Sequence, residues 1–254
     1  MATYKKRGYK PKTKKEKEEV IEENSATAEV FNTLDESASK TEEWFVKNQN
    51  YIIGVIAVIA LVVLAYLGYK KFIAAPQEKE AMNEMYQAKK YFDDAASGIS
   101  SDSLFTMALN GGEGKYGMLD IINEYGGTPA ANLANYYAGM AYLNLKDYQN
   151  AVSYLGDFSS DNKIQNPMAK GAMGDAFVQL NQLADGLDYY EKAFKANTND
   201  YTTPMFLMKA ARIAIRLEDN QKALDYLNRI KTEFSTSTEA GQVDVLIGMV
   251  EAKL

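Results

Sequence analysis

The chain has 254 residues, with 28 Lys and Arg against 34 Asp and Glu, a net charge of −6, and neither Cys nor His. Those two absences exclude disulfides, thiolate and imidazole metal sites, Ser–His and Cys–His nucleophile pairs and lipoprotein-type lipidation. Redox chemistry therefore says nothing of the compartment, and the length allows one or two domains.

The first seventeen residues hold eight basic ones, among them Lys5, Lys6, Arg7, Lys10, Lys12, Lys14 and Lys15. The Glu-rich run "KEEVIEEN" follows. With so few apolar residues to offset ordering entropy, residues 1–50 are expected to be a disordered cytoplasmic tail. Its basic cluster suits weak contact with anionic lipid headgroups or ribosomal RNA, or serves only as a topology signal. Val30, Phe31, Leu34, Trp44 and Phe45 are spaced for a short interfacial helix or a docking segment for a cytosolic partner.

From Tyr51 runs "YIIGVIAVIALVVLAYLGY", nineteen residues without a charge. A helix of that length rises roughly 28 Å, close to the hydrocarbon thickness of a bilayer. A cleaved secretory signal has a shorter core near the N-terminus, and a buried core helix needs neighbours to wrap it. Residues 51–71 are therefore expected to be a single transmembrane anchor, with Tyr51, Tyr66 and Tyr69 at headgroup level and Lys70 and Lys71 snorkelling. The orientation signals conflict. Lys40 and Lys47 flank one side against Lys70, Lys71, Lys79 and Lys89 on the other, yet the cluster at the N-terminus would have to be dragged across if it lay outside. On that argument the N-terminus is cytoplasmic and the C-terminal domain external; the inverse would make the protein a cytosolic adaptor.

Residues 72–128 read as a linker helix and a degenerate first repeat. Pro76 is expected to kink the helix, and Met82, Met85, Tyr86, Lys89 and Phe92 to form its apolar stripe. "LFTMALN" reads as a short helix. The "GGEGKYG" that follows fails as a phosphate loop, because Gly114-Lys115 is followed by Tyr116 and no strand precedes it.

Three segments then align without gaps: "NYYAGMAYLNLKDYQNAVSYLGDF" from Asn135, "KGAMGDAFVQLNQLADGLDYYEKA" from Lys170 and "LMKAARIAIRLEDNQKALDYLNRI" from Leu207, offset by 35 and 37 residues. Small residues recur where a first helix A and a second helix B would cross: Gly139, Gly174 and Ala211, then Ala151, Gly186 and Ala223. Leu155, Tyr190 and Leu227 occupy the large B-helix position, and Pro129, Pro167 and Pro204 keep the period ahead of each A helix. This pattern resembles the tetratricopeptide repeat. The first A-helix position, bulky in that family, is Asn135, Lys170 and Leu207 here, and only the last conforms. The expected fold is all-α: a single N-terminal transmembrane helix followed by a tetratricopeptide-type α-solenoid, with three repeats over 129–238 and a capping helix over 239–254.

The resemblance implies a concave groove lined by the A helices, at Tyr136, Met140, Asn144, Asp175, Gln179, Met208, Arg212 and Arg216, suited to extended peptides or a partner's helix. Neither enzymatic activity nor a cofactor is expected. The whole plan, a basic tail, one span and an acidic repeat domain, resembles the YfgM-like family of ancillary SecYEG translocon subunits. The segment from Leu109 is similar to tetratricopeptide proteins of Bacteroidota. Those resemblances imply the inner membrane of a diderm bacterium, a periplasmic repeat domain, and SecYEG, periplasmic chaperones or client polypeptides as partners. A structural scaffold in outer-membrane-protein insertion or secretion machinery is the alternative.

Overall fold

The computed structural model describes residues 26–98 and 101–253, in two units that divide between Tyr69 and Lys70. The basic cluster from Lys5 to Lys15 lies outside the described residues.

The first unit is helix α1, Ala26–Tyr69. Residues 26–50, expected to be disordered apart from a short interfacial helix, are thus helical. One reason lies in their content of Ala, Glu and Lys, good helix formers that outnumber the turn-prone residues near the apolar run. Ile53, Ile56, Ile59, Leu61 and Leu64 are all more than half exposed. The helical run Trp44–Ala96 is long and apolar enough to cross a membrane, and none of its most apolar window is buried.

The second unit opens with a π-helical turn, Lys70–Ala74, ahead of α2, Ala75–Ala96. Pro76 has no N–H to give the helical ladder, and a wider turn just before it is a common way to accommodate that loss. The buried face of α2 consists of Ala81, Met85, Ala88, Tyr91 and Ala95, with Phe92 beside them. Met82 and Tyr86, expected in the stripe, are exposed, and Lys89 is ion-paired to Asp93. The stripe is turned because alanine every seven residues lets α2 lie close against its neighbours, which the bulkier positions would prevent.

Helix α3 (Ser101–Asn110) and α4 (Met118–Glu124) pack on α2. The "GGEGKYG" segment between them is a tight loop with left-handed backbone at Gly111, Glu113 and Gly114. Helix α5 (Pro129–Asn144) covers the group. Two of its free N-terminal N–H groups are satisfied: Ala131 donates to Thr128 Oγ1 (3.1 Å) and Ala130 to Glu78 Oε2 on α2 (2.9 Å).

Three helix pairs follow in register: α5 with α6 (Tyr148–Asp157), α7 (Gln165–Gln179) with α8 (Leu183–Ala196), and α9 (Thr202–Arg216) with α10 (Asn220–Glu233). A 3₁₀ turn (Glu239–Gln242) and α11 (Val243–Glu251) end the stack, with Val243 and Val250 buried. The first helices α5, α7 and α9 touch in succession, and each second helix packs on the next first helix. Pro129, Pro167 and Pro204 sit inside the first helical turns rather than before them.

One turn is used three times. Lys146, Asn181 and Glu218 each take left-handed backbone. The next residue's N–H then reaches back five positions, Asp147 to Tyr142, Gln182 to Phe177 and Asp219 to Ala214. This closes the last turn of each first helix. Asp147 and Asp219 then cap the second helices, accepting from the N–H of Asn150 and Lys222. Gln182 makes no such cap. The connections between pairs repeat too: Asn162 Oδ1 accepts from Gln165 N–H and Asn199 Oδ1 from Thr202 N–H.

Close approach fixes the pairs. A Cβ on Gly174 would lie 2.6 Å from the Tyr190 ring, and one on Gly171 would enter the ring of Phe206, itself 1 % exposed. Gly171→Ala is expected to lower stability by about 1–3 kcal/mol in urea denaturation, since neither ring has room to retreat. Gln182→Asp supplies the cap its two counterparts have and is expected to raise stability by about 1 kcal/mol in the same assay.

Candidate partner-binding groove

The sequence-predicted groove positions separate into two groups. Tyr136 and Met140 pack beside the buried cluster of Leu155, Ala169, Ala172 and Met173, and the Tyr136 ring lies 5.1 Å from that of Phe158. Burial raises the Tyr136 hydroxyl above its ordinary range. Asn144 is exposed and returns its amide to Met140 O. These side chains are shaped by packing, with polar character only at the exposed end.

The second group is polar and centres on α7 and α9. Asp175 accepts hydrogen bonds from Tyr190 (2.6 Å) and from Lys209 Nζ (2.7 Å). Lys209 also lies 5.8 Å from the ring centres of Tyr190 and Phe206, which stack on each other. The ammonium thus joins adjacent first helices while its stem runs along aromatic faces. Burial, together with the Asp175 carboxylate, holds the Tyr190 hydroxyl protonated far above its usual range. Arg212 is exposed and donates to Gln242 Oε1 (2.8 Å). Arg216 and Gln179 are exposed as well.

Met208 is 5 % exposed and belongs to the core of α8, α9 and α10. Its edge, with Met205, Lys209, Arg212, Thr238 and Gln242, borders a cavity of about 210 Å³. Basic residues at 209, 212 and 216 share one side of α9, in a chain whose residues from Lys70 onward carry 18 basic against 24 acidic groups. Lys209 and Gln242 were not foreseen. Lys209 has only a partial signal in the sequence, since it lies one helical turn before Arg212, the repeat counterpart of Asp175. Gln242 has none, because its place depends on the path between α10 and α11.

Behind the groove, Glu191 on α8 accepts from Tyr226 (2.7 Å) and Lys222 (3.4 Å) on α10. Burial acts to raise its carboxyl, but the hydrogen bonds from Lys195 and Tyr226 outweigh it, and the net displacement is below the usual range. Among the described residues no group of three or more Asp or Glu is placed to hold a metal ion.

Tyr190→Phe keeps the stacking and removes one hydrogen bond, so it is expected to cost about 1 kcal/mol in urea denaturation. Asp175→Ala strips Lys209 and Tyr190 together and is expected to cost more than the Tyr190 change. Equal losses would show that the Lys209 link contributes nothing.

Residues 172–238, which span the second half of α7 and all of α8 to α10, match the family model of the tetratricopeptide repeat. No curated protein and no solved structure matches the chain. The pairing of helices and the matched segment agree: the chain carries tetratricopeptide repeats, units of protein–protein interaction, in an all-α solenoid.

Proposed function

We propose that this protein is a non-enzymatic interaction module tethered to the inner membrane, an ancillary subunit of the SecYEG translocon that contacts emerging polypeptides or recruits periplasmic chaperones. One observation carries the tether: the apolar run between Tyr51 and Tyr69 is exposed almost throughout, and only a bilayer or a partner of similar character covers such a surface without cost. The repeats supply the second half of the reading. Repeat solenoids present side chains from successive first helices to an extended partner, and the meeting of Asp175 on α7 with Lys209 on α9 supports that reading. The translocon assignment rests on the resemblance of the combined plan, a basic segment, a span and repeats, to the YfgM-like family.

Two measurements test it. The chain has no Cys, so Ser25→Cys and Ser235→Cys provide unique labelling sites. In intact spheroplasts an impermeant maleimide is expected to label position 235 and spare 25; the reverse pattern refutes the orientation. Crosslinking in native membranes followed by mild detergent extraction is expected to recover SecY. Its absence removes the translocon assignment.

A further inference from the structure

The first A-helix position is occupied by three different residues in the three repeats, and the structure shows what each does with the same slot. In the third, Leu207 is fully buried, and the rings of Phe194 and Tyr226 meet nearby at 5.6 Å. In the second, Lys170 turns its ammonium to Asn166 Oδ1, and a cavity of about 170 Å³ remains beside it and Tyr189. In the first, Asn135 is too short to fill the slot. A cavity of about 630 Å³ opens there, walled by Ile122 and Tyr154, with Asn132, Asp157 and Ser159 at its polar side. Tyr154, Tyr189 and Tyr226 are equivalent by the same offsets of 35 and 37, so the three slots correspond.

Two polar features show what the open slot is suited to hold. Asn135 Oδ1 is buried and has no hydrogen-bond partner among the described residues, a cost that a donor entering the slot would relieve once the carboxamide turns toward it. One turn earlier on the same helix, Asn132 already pairs with the backbone of one residue through both its polar groups: its amide donates to Ser159 O (2.8 Å) and accepts from Ser159 N–H (3.0 Å). Asn135 offers the same carboxamide to a second stretch of backbone. At the rim, exposed Asp157 forms no ion pair among the described residues.

We propose that the slot of the first repeat receives an extended segment of a partner polypeptide, which inserts a bulky apolar side chain of leucine size or larger where Leu207 sits in the third repeat. Asn135 pairs with the backbone of that segment. Asp157 selects a lysine or arginine next to the inserted residue, by charge complementarity. This rests on the reading of the repeats as a polypeptide-contacting module and adds a second site, apart from the groove of α7 and α9.

The test is fluorescence anisotropy of a labelled probe peptide, Gly-Ser-Leu-Lys-Ser-Gly, titrated with the full-length protein in detergent micelles. Saturable binding is expected. Asn135→Leu, which copies the third repeat, is expected to weaken it about tenfold while the thermal midpoint holds or rises. Replacing the probe's leucine by glycine is expected to do the same. Asp157→Asn is expected to weaken binding about threefold and to remove most of its salt dependence. Absence of binding to the unsubstituted chain, or binding indifferent to Asn135→Leu, overturns the proposal. Loss of binding on Arg212→Ala with none on Asn135→Leu also overturns it, and leaves the interaction module standing with its site in the groove. SecY crosslinking is read separately, so the two readings can fail independently.

Discussion

The side chain that Gly174 lacks is the space that the Tyr190 ring occupies, and the arrangement of the repeat domain depends on exchanges of this kind. Gly139 makes the same concession to Leu155, and the corresponding positions of the third pair are held by the small, fully buried Ala211 and Ala223. A helix that gives up volume on one face lets its partner approach until a large residue closes the gap. Once the pairs are that close, each second helix presents a ridge on which the next first helix can rest. The stack then propagates from local geometry alone. Polar contacts such as Asp175 with Lys209 are laid over this frame and do not create it.

The repeat architecture was legible because small residues, prolines and large B-helix residues recur at one period, and each enforces a steric condition that few other arrangements meet. The α2 stripe departs from the sequence expectation for the complementary reason. Methionine and tyrosine weigh heavily as apolar residues, but Ala81, Ala88 and Ala95 decide which face can come near. The left-handed turns at Lys146 and Glu218 escaped notice because neither residue favours that backbone, which tertiary packing imposes on it. Of the groove, the positions on α7 and α9 could be placed from the period, whereas the Lys209 bridge needed the distance between two helices. The departure of Asn135 from the bulky pattern was visible in the sequence; that it leaves a chamber was not, since neighbouring side chains were free to collapse into it.

The groove and the open slot differ in how they would hold a chain. On α9 the presented groups are long cations, two of them already engaged by Asp175 and Gln242. Such a surface favours register and orientation over strong attachment, because exposed charge contributes little in water. The slot has Ile122 and Tyr154 for walls, a polar side of Asn132, Asp157 and Ser159, and an Asn135 oxygen without a partner among the described residues, which together reward a single well-fitted side chain. A partner engaging both would be anchored at one end and aligned at the other.

Polar cross-links are unevenly distributed along the stack. The second and third pairs are tied by Asp175 with Lys209 on one side and by Glu191 with Tyr226 and Lys222 on the other. Among the described residues, no ion pair joins α5 or α6 to α7 or α8. There the junction rests on apolar packing of Tyr136, Met140 and Met173. A change of curvature at the second joint would have to break these polar ties, whereas one at the first would only slide apolar side chains past each other. The stack thus carries these polar locks at one joint of the two.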